Sequence, residues 1–201
     1  MVNFSRLGEH DTAPITDDLV NLYEVVYQEP PYREGPEQVD RFRSSLHEDV
    51  SRPGFTLIIA VEDGHLVGAS YGWAMAAGKW WSRSDAEPDS SIKDVDKFAV
   101  MEWIVHPRYR GKGIGAELIR RLLNDRPESI ATLASDPRSK ARGMYARAGW
   151  RQVARTNLSW GPSMDLLVFD KRGTPTSRVD NSRTEWRAFI DGAKDGESDL
   201  R

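Results

Sequence analysis

Three glycines alternate in a short basic segment of the chain. The segment RYRGKGIGAELIRRLL, residues 108–123, follows an apolar run and a proline and continues into a stretch with apolar residues at helical spacing. A helix that begins at glycines exposes free N–H groups and the positive end of its dipole, which together favour an anion. The absence of side chains would let phosphate oxygens approach the backbone closely. The segment therefore predicts an anion site formed by Arg110, Gly111, Lys112, Gly113, Ile114, Gly115 and Ala116.

Glycines at alternate positions also occur in plain turns, so the spacing has to discriminate between loop types. A Walker A loop needs Gly-x-x-x-x-Gly-Lys-Ser/Thr, whereas here Gly113 follows Lys112 and no hydroxyl residue comes next. A dinucleotide-binding loop needs Gly-x-Gly-x-x-Gly, and the present Gly-x-Gly-x-Gly is one residue short. Neither nucleotide loop fits.

A third phosphate loop does fit. Arg110-x-x-Gly113-x-Gly115, after a strand and before an amphipathic helix, resembles the acyl-CoA-binding motif of the GNAT superfamily of N-acyltransferases. Downstream, SKARGMYARAGW is similar to the second signature of that family, with Tyr145 four residues before the pair Gly149-Trp150. The resemblance covers residues 50–170 well, and the N-terminal helices by their order alone.

The hydrophobic pattern gives the order strand, two helices, three strands, helix, strand, helix and two strands, which is an α/β arrangement. The first helix is predicted within 17–27, with Thr16 as its N-cap and with Leu19, Leu22, Val25 and Val26 facing inward. The resemblance implies the GNAT fold: a mixed, mostly antiparallel sheet with a splayed pair of parallel strands, flanked by about four helices. We expect one acyltransferase domain over residues 1–171. Residues 172–201 would be an extension with a short helix and a disordered tail.

The resemblance also implies how the donor binds. The pyrophosphate of acetyl-CoA would lie on the amides of Gly111 to Ala116, and the pantetheine arm would run beside Trp103, Ile104 and Val105. The amide of Val105 or its neighbour would polarise the thioester carbonyl. Arg138 stands where many members have an asparagine that assists CoA binding. No metal is implied, and no two histidines have the spacing of metal ligands.

Two residues are candidates for moving protons. An alkyl amine with a pKa near ~10 must lose a proton before it attacks. Many members carry an acid where Ala99 stands here, and Glu102 is the nearest carboxylate on that strand, with a purely structural role as the alternative. Tyr145 resembles the residue that protonates the leaving thiolate, although a tyrosine on an apolar helix face is also often part of the core.

The acceptor is less defined. Four aromatic residues fall in segments that border the acceptor cleft in this family, namely Tyr32, Trp73, Trp80 and Trp81. Together with the acidic segment 85–96 they suit a cationic amine, although a solvated loop with core tryptophans would have the same composition. We expect a small-molecule primary amine. A protein N-terminus or lysine, a catalytically silent acyl-CoA-binding module and a dinucleotide-dependent enzyme that uses Asp136 remain alternatives.

Composition limits the partners. The net charge of −3 argues against nucleic acid, and the absence of cysteine excludes a thiolate nucleophile. No apolar run approaches the ~20 residues of a membrane span, and the N-terminus has no signal-peptide pattern. We therefore expect a cytoplasmic protein that binds no membrane, and a homodimer is compatible with the resemblance.

Overall fold

The computed structural model describes residues 1–157 and 162–172. Its strands follow the order β1-β2-β3-β4-β5-β7-β6 in a mixed sheet. Their bounds are Asn3–Leu7 (β1), Thr56–Glu62 (β2), His65–Met75 (β3), Lys97–Val105 (β4), Ile130–Ser135 (β5), Arg151–Asn157 (β6) and Ser163–Asp170 (β7). The helices are Glu9–Thr12 (α1), Thr16–Tyr27 (α2), Pro36–Val50 (α3), Ser90–Lys93 (α4), Ile114–Leu123 (α5) and Lys140–Arg147 (α6). This is the α/β order that the hydrophobic pattern predicts, with two extra short helices.

The chain divides into two compact units. The first comprises residues 1–73 and 100–124, and the second comprises residues 74–99 together with the described residues from 125 onward. The expected single domain over residues 1–171 stays a prediction. The expected helix and tail of the C-terminal extension lie outside the described residues.

In the first unit, β2 pairs antiparallel with β1 and β3, and α2 and α3 supply a continuous core. The pairing of β2 with β3 runs from Thr56–Gly72 to Glu62–His65 and is interrupted by a bulge at Ala60/Val61. Apolar residues of both helices pack with those of the strands, among them Leu19, Leu22, Phe42, Leu46, Leu57 and Ile104. This core fixes the positions of the two helices, and therefore where their polar side chains begin.

Two details predicted for α2 are wrong. Val25 is 40% exposed, and the buried positions are Leu19, Val20, Leu22, Tyr23 and Val26. Tyr23 takes the inward place because its ring stacks on Phe42, with the centroids 4.0 Å apart. Thr16 is the first helical residue rather than the N-cap, which is Ile15, and the Thr16 hydroxyl donates to the Thr12 carbonyl instead.

A glycine on β3 sets how closely α5 approaches the sheet. A Cβ added at Gly68 would lie 3.0 Å from a methyl of Leu118 and 3.2 Å from one of Ile114. The apolar face of α5, which includes Leu118, Ile119 and Leu122, is fully buried. Because α5 is pressed onto the sheet in this way, the loop that starts it is held firmly at the end of β4.

The second unit contains the parallel pair. Residues Lys97, Phe98 and Ala99 of β4 pair in parallel with Ile130, Ala131 and Thr132 of β5. This pairing covers three residues, although β4 continues to Val105 and β5 to Ser135. β7 then pairs antiparallel with both β5 and β6.

The polar segment 78–97, which we name the insertion, contains regular structure. It forms α4, and Ser84 makes an isolated bridge with Thr156. The ammonium of the fully buried Lys97 donates to the carbonyls of Lys93 and Val95, at 2.9 and 2.7 Å. These hydrogen bonds satisfy carbonyl groups at the C-terminal end of α4. In the described part of the chain, no helix has the length and apolar character needed to cross a bilayer.

Candidate active site

The glycine loop joins β4 to α5 within the first unit. Gly111 and Gly113 have φ of 74° and 75°, the left-handed region that residues with a Cβ rarely adopt. Gly113 is the N-cap of α5, and the first backbone bond of the helix runs from the Glu117 amide to the Gly113 carbonyl at 3.1 Å. The amides of Ile114, Gly115 and Ala116 therefore precede the helical ladder and have no partner within it. A Cβ at Gly111 would meet nothing within 4 Å, so the loop is open on that side.

The strand that leads to this loop offers a second row of donors. The His106 amide donates to the Val67 carbonyl of β3 at 2.9 Å. Because successive N–H groups of a strand point to opposite edges, the amides of Trp103 and Val105 point away from β3. The Trp103 indole donates to the Gly115 carbonyl at 2.9 Å and joins the strand to α5. The residues predicted for the pantetheine arm and for the pyrophosphate are thus brought together on one β4–loop–α5 segment.

The two cations of the loop already have protein partners. Arg110 donates from Nη1 to Glu29 at 2.6 Å and from Nε to the Val105 carbonyl at 3.2 Å. The Lys112 ammonium lies 4.8 Å from the centroid of the Tyr109 ring. Both side chains remain within reach of solvent, and Arg110 is 42% exposed. Their charge therefore acts at the loop, with that of Arg110 partly offset by Glu29.

Glu102 on β4 lies in an aromatic environment supplied by α2. The Tyr27 hydroxyl donates to Glu102 Oε2 at 2.8 Å. The Tyr27 ring packs on Tyr23, with the centroids 4.3 Å apart, and meets Tyr32 edge-on at 4.8 Å. On the main chain, the Ser70 hydroxyl donates to the Glu102 carbonyl at 3.0 Å. The half-buried carboxylate is thus held at its backbone and at one oxygen.

This environment changes the acidity of Glu102. The pKa of Glu102 is raised to about 8: burial is the largest cause, the charges of Glu34 and Asp49 add to it, and the hydrogen bond from Tyr27 opposes the rise. Burial and the charge of Glu102 also raise the pKa of Tyr27 well above its usual value, so the phenol remains a neutral donor. A carboxylate with a pKa near neutral pH is suited to accept a proton from a substrate.

Two further carboxylates lie in the same unit, each with a tyrosine donor. The Tyr23 hydroxyl donates to Glu34 at 2.6 Å, and the Tyr71 hydroxyl approaches Asp49 at 3.3 Å. Burial raises the pKa of both carboxyl groups, and Arg52 opposes this at Asp49 through an ion pair at 3.0 Å. We name Tyr23, Tyr27, Glu34, Asp49, Tyr71 and Glu102 the tyrosine–carboxylate cluster. Its negative charge favours a cation.

Two of the four predicted acceptor residues border this cluster. Tyr32 contacts the Tyr27 ring, and the Trp73 ring carries the Arg52 guanidinium 4.5 Å from its centroid. The other two, Trp80 and Trp81, belong to the second unit, where their indoles donate to Ser84 and to Thr132, at 3.2 and 2.9 Å. Trp80 also packs against the apolar cluster formed by Ile92, Ile130 and Val168. These contacts anchor the insertion, and an acceptor role for either tryptophan stays a prediction.

Two more predicted residues lie in the second unit. Tyr145 on α6 is buried, with its ring centroid 6.2 Å from that of Trp150. Arg138 grips the buried Asp136 through Nε and Nη2, at 3.0 and 2.7 Å, and also donates its backbone amide to that carboxylate. This grip keeps the pKa of Asp136 below its usual range. Glu102 and Tyr145 thus belong to different units.

Sequence reasoning missed most of the tyrosine–carboxylate cluster. Tyr23 and Tyr27 lie one helical turn apart on a face that reads as core, and Glu34 lies in a segment that reads as a break between helices. The spacing of the two tyrosines was the available signal, since residues four apart share a helix face. No sequence pattern connects α2 with a carboxylate on β4. Within residues 1–157 and 162–172, no three His, Asp or Glu side chains are grouped as metal ligands would be.

Comparison with known proteins places the chain in a family. The model of the acetyltransferase (GNAT) family matches residues 16–150, about two thirds of the chain. The chain belongs to the GNAT acetyltransferase family. A GCN5-like protein acetyltransferase of Mycobacterium tuberculosis is 28% identical over 103 residues, which cover 45% of this chain and 50% of that protein. The chain thus spans about half the length of this curated relative.

Solved structures share the fold. The PaiA N-acetyltransferase of Thermoplasma acidophilum, solved in complex with coenzyme A, matches with a TM-score of 0.57 and 12% identity over 85% of this chain and 99% of its own. An aminoglycoside 6'-acetyltransferase of type Ii matches with a TM-score of 0.58 and 15% identity over 86% and 99%. At these identities the likeness shows the GNAT fold alone.

The glycine conformations lead to a first prediction. Gly113→Ala places a Cβ on a residue with φ of 75° at the start of α5, which costs about 1–2 kcal/mol if the loop keeps its shape. We expect the dissociation constant for CoA, measured by calorimetry, to rise about tenfold as the loop relaxes away from that shape.

The matched control is Gly64→Ala in the β2–β3 hairpin of the same unit, where φ is 80°. It introduces the same backbone strain away from the loop, so it should lower the urea midpoint similarly and leave CoA affinity unchanged. Equal CoA affinity in wild type and Gly113→Ala would contradict a role for this loop in binding CoA.

Proposed function

We propose that the protein transfers the acetyl group of acetyl-CoA to a primary amine of a small cationic molecule by direct attack. The observation that carries the proposal is the Tyr27–Glu102 hydrogen bond at 2.8 Å, with the pKa of Glu102 raised to about 8, in the unit that also holds the glycine loop. This arrangement would supply a base in the same unit as the loop that we propose binds acetyl-CoA.

The donor site follows from the β4–loop–α5 segment. The amides from Gly111 to Ala116 would hold the pyrophosphate, because two of these residues adopt positive φ and the helix amides lack intrahelical partners. Trp103, Ile104 and Val105 would hold the pantetheine through the amides that point away from β3. Acetyl-CoA supplies an activated thioester when bound. Arg110 and Lys112 would add charge, and Arg138 would have to reach a phosphate while it grips Asp136.

Glu102 would act as the general base. An alkyl ammonium with a pKa near ~10 stays protonated in neutral water, and desolvation lowers that pKa while it raises the pKa of a carboxyl group. The proton passes from the ammonium nitrogen to Glu102, and the freed lone pair forms the new N–C bond to the acetyl carbon. A base with a pKa of about 8 keeps enough affinity for this proton while a usable fraction of it stays ionised at neutral pH.

The departing group also needs a proton. When the C–S bond breaks, its electron pair goes to sulfur, and we propose that the Tyr145 hydroxyl protonates the resulting thiolate. The adduct nitrogen releases its second proton to solvent as the amide forms, and a proton from solvent restores the Tyr145 hydroxyl. The motif position supports this role, since Tyr145 precedes Gly149-Trp150 by four residues as in the family signature. Its burial against Trp150 fits a core role as well, so a Tyr145 variant has to decide.

The acceptor would be a cation with apolar surface. Glu34 and Asp49 add negative charge to Glu102, and the rings of Tyr32 and Trp73 lie at the edge of the cluster. Aromatic faces and carboxylates together attract ammonium groups. An acceptor role for Trp80 and Trp81 stays a prediction from the sequence. The cytoplasmic location and the homodimer expected from sequence remain predictions.

A second candidate has its own support. The curated relative from Mycobacterium tuberculosis is named a protein acetyltransferase, so the acceptor could be a protein lysine or N-terminus. Such an acceptor also brings an amine, and the same base would serve it.

The experiment that tests the proposal is an amine panel with acetyl-CoA, followed by thiol release. The panel contains diamines, an aminoglycoside, amino acids, and lysine and N-terminal peptides, with matched alcohols as blanks. We expect turnover with small cationic amines, and the ratio of kcat/KM for small amines to that for peptides separates the two candidates. CoA binding without turnover would overturn the proposal in favour of a silent module, and absence of CoA binding would overturn the donor site.

The proposed role of Glu102 predicts how kcat/KM depends on pH. Since the base must be ionised, kcat/KM should rise as pH increases through about 8, the pKa of the free protein, and fall again near the amine's own pKa of ~10. Glu102→Gln should remove the rising limb and lower kcat/KM by about 10²–10⁴ while CoA affinity stays the same. Glu48→Gln, at an exposed position of α3, is the control for loss of one charge. A retained limb in Glu102→Gln would rule out Glu102 as the base.

The proposed role of Tyr145 predicts that loss of its hydroxyl lowers kcat. Tyr145→Phe keeps the ring that packs near Trp150 and removes the hydroxyl. We expect kcat to fall by about 10²–10⁴ with little change in CoA affinity or in the urea midpoint. Full activity in this variant would assign Tyr145 to the core.

A further inference from the structure

The hydrogen bond on Glu102 reaches one oxygen of the carboxylate. The donor is Tyr27, and it takes Oε2 at 2.8 Å. In the part of the chain that the structure describes, no other side chain donates to this carboxylate. Oε1 is therefore the oxygen that remains to accept a proton from an acceptor.

Tyr27 is itself held tightly. It occupies the last position of α2, and its ring lies between those of Tyr23 and Tyr32, with centroids 4.3 and 4.8 Å away. Its raised pKa keeps the phenol protonated, so the hydroxyl can only donate while Glu102 is ionised. The packing leaves the hydroxyl little freedom to move away from β4.

We propose that Tyr27 is a positioning residue for the reaction: its hydroxyl holds Glu102 through Oε2 and stabilises the ionised carboxylate, leaving Oε1 to take the proton of the acceptor amine. This inference rests on the proposed function. Tyr27 touches neither donor nor acceptor in this account, and acts only through Glu102.

The groups that face Glu102 oppose one another. Burial and the charges of Glu34 and Asp49 favour the protonated acid, and the Tyr27 hydroxyl favours the anion. The titratable groups around Glu102 come from α2, the segment after it, α3 and β3, namely Tyr23, Tyr27, Tyr32, Glu34, Asp49 and Tyr71. Arg52 pairs with Asp49 at the border of this set. Tyr27 thus lowers the pKa of Glu102, whereas burial and the neighbouring charges raise it and favour the protonated carboxyl group.

The test is Tyr27→Phe, which keeps the ring between its neighbours and removes one hydroxyl. We expect the rising limb of kcat/KM to move up by about one pH unit, since one charge-assisted hydrogen bond is lost. At neutral pH kcat/KM would fall roughly tenfold, and most of this change would come from a lower kcat rather than from a higher KM. If the rising limb of kcat/KM in Tyr27→Phe lies at the same pH as in the wild type, the proposal is overturned.

Tyr23→Phe is the matched control, one helical turn away on the same helix. It removes the hydrogen bond to Glu34 and leaves the bond to Glu102. The loss favours protonated Glu34, which weakens the charge that raises the pKa of Glu102, so the limb should stay or move down. An upward shift equal to that of Tyr27→Phe would mean that any hydroxyl lost from α2 acts alike, and would overturn the proposal.

Two measurements keep the test independent of folding and of the acceptor. Tyr27→3-fluorotyrosine keeps size and packing but makes the phenol a stronger donor, so the limb should move down. A titration of carbon-labelled glutamate by NMR, assigned with Glu102→Gln, reports the pKa of Glu102 without any turnover. A higher pKa in Tyr27→Phe supports the proposal, and an unchanged one overturns it. Failure of the proposed function would show instead as a wild-type protein without turnover in the amine panel.

Discussion

The proposed reaction depends on the desolvation of one carboxylate. Glu102 lies among aromatic rings and near two other carboxyl groups, which raises its pKa to about 8. A single phenolic donor, Tyr27, opposes that rise at 2.8 Å. Without the donor, a smaller fraction of Glu102 would be ionised at neutral pH, and without the burial the carboxylate would be a weaker base towards an ammonium. The site depends on the balance between the two.

That balance requires α2 to serve two purposes at once. Its apolar residues Leu19, Leu22 and Val26 anchor it in the core of the first unit. The same face ends in Tyr23 and Tyr27, whose hydroxyls reach Glu34 and Glu102. Because core packing fixes the helix, the hydroxyls are positioned by contacts that involve no polar group. Changes in the core of α2 would therefore alter the base through geometry rather than through charge.

The conformation of the glycine loop was predictable because its residues are contiguous. Positive φ at Gly111 and Gly113, and a helix that starts at Gly113, follow from local spacing alone. The α/β order and the parallel pair followed from periodicity and from the family resemblance. Val25 was misplaced because Tyr23 takes the inward position by stacking on Phe42. Thr16 was misplaced because the helix begins one residue earlier than predicted, with Ile15 as its N-cap. The tyrosine–carboxylate cluster joins α2, α3, β3 and β4, and no local pattern encodes pairings over that distance.

The position of the base has a consequence for the acceptor. Many members of the family carry an acid where Ala99 stands, and side chains three residues apart on a regular strand point to opposite faces. On a regular strand, the side chain of Glu102 therefore lies on the opposite face from that of residue 99, and the Tyr27 hydroxyl of α2 contacts it there. In the proposed reaction the acceptor would meet Glu102 beside the other carboxylates of the cluster, whose charge favours a cation. The carboxylates of the cluster thus favour acceptors that arrive already protonated.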